Sequence, residues 1–121
     1  MSKRILVVED QEDNRQILRD LLGSVGYAMI EAADGEAGVD AAKKERPDLI
    51  LMDIQLPLLD GYEATRRIKA DPDLKNIPVI VVTSYALSGD EVKARAAGCD
   101  AYVTKPYSPR QLLAKIREFL P

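Results

Sequence analysis

Histidine is absent from all 121 residues, tryptophan is absent as well, and only one cysteine and one phenylalanine occur. Without histidine there can be no histidine-based catalytic triad, no histidine metal ligand and no histidine carrier of a phosphoryl group. A histidine donor would have to come from another molecule. The lone Cys99 has no partner for an internal disulfide and is expected to be a small buried hydrophobe. No apolar run approaches the ~18–20 residues of a membrane span, and Met1-Ser2-Lys3-Arg4 leads straight into a strand-like run rather than a signal peptide. The chain is therefore expected to be cytoplasmic and to have no membrane partner. A net charge of −3 lacks the basic field that drives binding to a phosphate backbone, so a nucleic-acid partner is not expected. Neither a Walker-type loop nor a G-x-G-x-x-G pattern occurs, which argues against a nucleotide-binding fold.

What remains is the balance of an ordinary globular protein, 46% hydrophobic and 31% charged, in a length that suits one domain over residues 1–121. Short β-branched runs recur along it. Ile5-Leu6-Val7-Val8, Leu49-Ile50-Leu51-Met52 and Val79-Ile80-Val81-Val82 are apolar on both faces, as central strands of a helix-covered parallel sheet must be. Tyr27-Ala28-Met29-Ile30 and Ala101-Tyr102-Val103 are weaker and suit the edges.

Helical patterns fill the gaps. In the first, Ile17, Leu18, Leu21, Leu22 and Val25 form one stripe, Glu12 and Asp13 face the positive end of the dipole, and Gly23 and Gly26 close the helix. Asp34 is expected to cap a second helix that Pro47 stops, and Asp60 a third that ends before Asp71-Pro72. Ser88 with Glu91 suggests a capping box for the fourth, which Gly98 would end. Ser108, Pro109 and Gln111 open the fifth, whose apolar face is Leu112, Leu113, Ile116, Phe119 and Leu120. Alternating strands and helices predict an α/β layered sandwich around a parallel sheet.

In such sheets the functional edge is the carboxyl end of the strands. Glu9 and Asp10 follow the first strand and Asp53 follows the third, so three carboxylates converge there. A single carboxylate at a strand end is usually a cap or a solvated side chain. Three at one edge repel one another unless a cation neutralises them, and an all-oxygen set suits a hard ion such as Mg²⁺. Lys105, after the fifth strand, adds an ammonium, and Thr83, ending the fourth, adds a hydroxyl. A carboxylate nucleophile, acidic metal ligands, an ammonium and a hydroxyl are nearly all that phosphoryl transfer requires.

Across the whole chain these motifs resemble the response-regulator receiver family of bacterial two-component signalling. The resemblance is carried by Glu9-Asp10, by Asp48 to Pro57 running on to Asp60-Gly61, by Val82-Thr83-Ser84, and by Tyr102-Val103-Thr104-Lys105-Pro106. Gly89-Asp90-Glu91 and Gly98-Cys99-Asp100-Ala101-Tyr102 make it most similar to the DivK-type single-domain subgroup. The resemblance implies a flavodoxin-like (βα)5 three-layer sandwich with strand order 2-1-3-4-5. It also implies Asp53 as phosphoacceptor and Asp10, Asp53 and the Gln55 backbone carbonyl as Mg²⁺ ligands, with Glu9 contributing through water. Thr83 and Lys105 would bind phosphoryl oxygens, Tyr102 would change rotamer on activation, and Lys105-Pro106 would be cis. One departure is that many relatives carry two aspartates where this chain has Glu9-Asp10.

The implied partners are a histidine kinase or histidine phosphotransfer protein as donor, and a protein effector or allosterically regulated kinase downstream. The switching surface would be the fourth helix, fifth strand and fifth helix. Gln55 and Tyr85, two residues beyond Asp53 and Thr83, are expected to tune phosphoryl lifetime by flanking the path of water. The chain would then be a signalling switch rather than an enzyme acting on other substrates. A dehalogenase-type phosphotransferase would need an aspartate where Gln55 stands. A phosphorylation-independent interaction module of the same fold is the alternative, and its sequence would be expected to have lost at least one of these residues.

Overall fold

The apolar runs form five strands, β1 (Arg4–Val8), β2 (Ala28–Ala32), β3 (Leu49–Asp53), β4 (Val79–Thr83) and β5 (Ala101–Thr104). Between and after them lie helices α1 (Glu12–Ser24), α2 (Gly35–Glu45), α3 (Gly61–Ala70), α4 (Asp90–Ala96) and α5 (Pro109–Phe119). This computed structural model describes residues 2–83 and 90–121, with Asp90 described by its backbone alone. Ser84, Tyr85, Ala86, Ser88 and Gly89 lie outside the described residues, and with them the expected cap of α4.

All four strand pairings are parallel, and the order is β2-β1-β3-β4-β5. This is the flavodoxin-like order that the resemblance implies. Side chains alternate across the sheet. Leu6, Val8, Ile50, Met52, Val79 and Val81 face one cluster with Val39 and Ala42 of α2, Ala64 and Ile68 of α3, and Ala94 of α4. Ile5, Val7, Leu49, Leu51, Ile80 and Val82 face the other with Leu18 and Leu22 of α1 and Leu112 and Ile116 of α5. Each fully buried Leu or Ile stabilises the fold by about 1.5–3 kcal/mol relative to exposure. That two-sided demand explains why the central strands are apolar at every position.

Local chemistry sets the helix ends. Asp34 and Asp60 accept the backbone N–H of Ala37 and Glu63, and Ser108 and Gln111 complete a reciprocal capping box with Pro109 at the first helical position. Helix α1 runs through Gly23 and ends in a Schellman motif. Gly26, at φ +89°, donates to the Gly23 carbonyl, and Tyr27 donates to Leu22. The same motif, with Gly98 at φ +103°, ends α4.

Two expectations need correction. Tyr27 is not part of β2, because its N–H is consumed in ending α1. The strand instead continues through Glu31, whose carboxylate is held by Arg15 and Arg19 of α1. The stripe on α1 is also narrower than its apolar residues suggest. Leu18 and Leu22 are buried, but Ile17 is 61% exposed and Val25, already past the last turn, is 38% exposed.

Candidate functional site

Parallel register brings the strand ends level: Val8 pairs with Met52, Asp53 with Val82, and Thr83 with Thr104. The residues leaving β1, β3 and β5 therefore meet at one edge. One carboxylate oxygen each from Glu9, Asp10 and Asp53 lie within 4.8 Å of one another. Lys105 reaches in from beyond β5, its Nζ 3.0 Å from Glu9 Oε1 and 3.6 Å from Asp53 Oδ2. Its backbone N–H donates to the Thr83 carbonyl at 2.6 Å, and the Lys105-Pro106 peptide is cis.

Glu9 is the most enclosed of the three acids. Its Oε1 accepts from Lys105 and from Asn14 Nδ2 at 3.2 Å, and its Oε2 accepts from the Gln11 N–H at 3.1 Å. Its own backbone carbonyl accepts from the Arg15 guanidinium at 2.7 Å. Burial alone would raise the Glu9 pKa, but the Gln11 N–H and the Lys105 ammonium outweigh it and hold the group below its ordinary value.

Asp53 shifts the other way. Burial first, then the negative charge of Glu9, push it up to about 6, against the opposing pull of Lys105. Its Oδ1 accepts from the Ile54 N–H at 2.7 Å, so Oδ2 is the oxygen turned toward the ammonium. Lys105 is raised above its ordinary value: burial opposes the charged form, and the carboxylates of Asp53 and Glu9 overcome it.

Three carboxylates against one ammonium leave an excess of negative charge that a divalent cation would balance. The all-oxygen donor set fits Mg²⁺. Gln55 sits at the rim, exposed, its N–H 3.4 Å from Asp53 Oδ1. Thr83 is fully buried at the same edge. Tyr102 does not join the cluster. It stands one strand farther out, paired with Val81, its ring half-buried against the apolar cluster of α2, α3 and α4. Tyr85 lies outside the described residues.

Asn14 and Arg15 escape sequence reasoning, because a polar residue on a helix carries no motif. The available signal is their place one turn after the acidic pair, where α1 folds back over it. Beside the site, a cavity of about 340 Å³ opens between α1 and the segment after β5, lined by Ile17, Leu21, Pro106 and Tyr107 with Asn14 and Lys105.

The family model of the response regulator receiver domain matches residues 5–117. The chain belongs to that family. This receiver is 45% identical over 120 residues to the polar-differentiation response regulator DivK of Brucella anthropi, covering 99% of this chain and 98% of that protein. The receiver domain of a Pseudomonas aeruginosa sensor histidine kinase superposes with a TM-score of 0.92 at 38% identity, covering 99% of this chain and 98% of that one. That structure holds a magnesium ion coordinated in its active-site cleft. A CheY-like receiver domain protein from Methanospirillum hungatei superposes with a TM-score of 0.90 at 35% identity, covering 98% of this chain and 93% of that one. As a receiver of the response-regulator type, the chain is a signalling module. No helix among its described residues is long and apolar enough to cross a membrane.

Proposed function

We propose that this receiver works as a cytoplasmic single-domain response regulator, accepting a phosphoryl group on Asp53 from a histidine kinase or a histidine phosphotransfer protein. The observation that carries the reading is the convergence of Glu9, Asp10 and Asp53 within 4.8 Å, with one ammonium bridging Glu9 and Asp53. The magnesium ion in the Pseudomonas relative supports the same reading.

Asp53 Oδ2 attacks the phosphorus of a phosphohistidine. The new P–O bond forms as the P–N bond breaks, and the electron pair of that bond leaves with the donor imidazole. The Ile54 N–H holds Oδ1, which fixes the carboxylate plane and leaves Oδ2 directed at the incoming group. Mg²⁺, held by Asp10, Asp53 and the Gln55 carbonyl with Glu9 reaching it through water, would neutralise charge on the transferred oxygens. Lys105 then contacts a phosphoryl oxygen, and Thr83 donates its hydroxyl to another. Drawing Thr83 toward Asp53 vacates space for the Tyr102 ring, which resets the surface of α4, β5 and α5 for an effector or a regulated kinase. Gln55 and Tyr85 govern the access of water and hence the lifetime of the acyl phosphate.

Acetyl phosphate with Mg²⁺ is expected to add one phosphoryl group, read by mass spectrometry and lost in Asp53→Asn. An adduct that persists in that variant, or that forms equally well in EDTA, refutes the mechanism.

A further inference from the structure

Glu9 is 3% exposed, and among the described residues its Oε1 receives two donors, Lys105 Nζ at 3.0 Å and Asn14 Nδ2 at 3.2 Å. The ammonium thus rests on Glu9 and stands farther, at 3.6 Å, from Asp53. A phosphoryl group on Asp53 brings roughly −1.5 to −2 charge and strong acceptor oxygens. The ammonium is drawn toward them, because the phosphoryl group offers more negative charge and more acceptor oxygens than the single Glu9 carboxylate it contacts at rest. Glu9 Oε1 then loses its ammonium while the residue stays 3% exposed, with Asn14 as the donor left on that oxygen.

We propose that Asn14 is a positioning residue which holds the Glu9 carboxylate in place when Lys105 transfers its ammonium from Glu9 to the phosphoryl group. The inference rests on the phosphoacceptor reading of Asp53. Asn14 lies on the opening turns of α1, and the next residue, Arg15, grips the Glu9 main-chain carbonyl at 2.7 Å. One helix therefore fixes the backbone of Glu9 with Arg15 and its side chain with Asn14. Of the two groups on an asparagine amide, only the NH₂ can face a carboxylate oxygen, so the contact has one sense. Asn14 matters because residue 9 is a glutamate. An aspartate there, one methylene shorter, withdraws its carboxylate from α1 and toward β1.

The test compares two states of the site. In the resting protein Asn14→Leu leaves the Lys105 ammonium and the Gln11 N–H on the Glu9 carboxylate, so no charged acceptor is stranded and Mg²⁺ affinity by calorimetric titration is expected to change by less than about threefold. With Mg²⁺ saturating, beryllofluoride takes the place of the phosphoryl group, and its affinity is expected to fall on the order of tenfold, the effect of stranding a buried charged acceptor. In a Glu9→Asp background the same substitution should be silent. In the unsubstituted protein, beryllofluoride should move the Asn14 side-chain amide proton downfield as that bond becomes the principal one to Oε1, a readout that needs no mutant to fold. Unchanged beryllofluoride affinity in Asn14→Leu, equal losses for Mg²⁺ and beryllofluoride, a tenfold loss persisting with Glu9→Asp, or a stationary amide proton each overturns the assignment. If the natural sequence binds no beryllofluoride, or Asp53→Asn binds it equally well, the phosphoacceptor reading itself fails and the role of Asn14 falls with it.

Discussion

Asp53→Asn should make the protein more stable at neutral pH in EDTA, even though it removes the proposed phosphoacceptor. The ordinary carboxyl value of 3.8 is raised to about 6 in the folded chain, by burial first and then by the charge of Glu9. Between those two values the folded state holds a proton that the unfolded state has released. Stability therefore falls as pH rises from about 4 to 6 and stays lowered above that. A shift of about two units corresponds to an upper bound of roughly 3 kcal/mol at ~1.36 kcal/mol per unit. Asparagine, close in shape to the protonated acid, escapes this penalty, and the raised value already includes the pull of Lys105. The gain at neutral pH is therefore about 1–2 kcal/mol once solvent screening of this part-exposed site is discounted. Urea denaturation of both proteins should show curves that coincide near pH 4, separate through pH 6 and stay apart at pH 7.5. The mutant-minus-parent difference cancels the titrating groups remote from Asp53, while Glu9, whose lowered value contributes with the opposite sign, and Lys105 interact with it and titrate with it as one unit. Saturating Mg²⁺ should shrink or invert the gap, since it binds the folded carboxylate and not the amide. A mutant that is less stable at pH 7.5 in EDTA, or a gain that ignores pH, refutes the reasoning.

A Cβ at Gly61 would lie 2.0 Å from the Asp53 carbonyl oxygen and 2.8 Å from the Ile54 Cα, all rigid backbone, so Gly61→Ala must push α3 away from the end of β3. Thermal melting should report a loss of about 2–3 kcal/mol, with slower phosphorylation of Asp53, and a loss below ~0.5 kcal/mol would contradict the close approach. Thr83→Ala should still accept phosphoryl while the phosphorylation-dependent gain in partner affinity, typically ~5–150-fold for coupled sites, collapses toward unity. A full gain in surface-plasmon-resonance titrations, or the same Tyr102 rotamer with and without beryllofluoride, would remove Thr83 and Tyr102 from the switch.

Much of this architecture is written locally in the sequence. The two-faced apolar runs of β1, β3 and β4 admit one environment, and Asp34, Asp60 and Ser108 each sit one residue before a helix that they cap. The convergence of Glu9, Asp10, Asp53 and Lys105 follows once parallel strands are assumed, because register levels their ends. What could not be read is whatever depends on which element lies over which. Ile17 satisfies the apolar periodicity of α1 yet lines the mouth of a cavity, since the helix is turned so that Leu18 and Leu22, flanked by Leu21, face the sheet. Glu31 sits in an edge strand despite its charge because two arginines four residues apart on α1 reach it. Glu9 joins Asp10 and Asp53 as its place after β1 implies, but its grip by Asn14 and Arg15 could not be read, because nothing in the spacing of a motif announces a helix folding back across the acid that precedes it.

The sheet also acts as a partition. Its side chains feed two apolar clusters that share no residue, one belonging to α1 and α5 and the other to α2, α3 and α4. A void opened on one side has to be absorbed by the helices of that side, and the opposite side feels it only through the strand backbones. The amides of β1, β3 and β4 are roofed by both clusters, so they meet solvent deuterons only when both give way together. Their hydrogen exchange therefore reports global unfolding. Amides in α1 or α5, and separately those in α2 or α3, report the looser breathing of one half, which makes each half of this small protein a thermometer for itself.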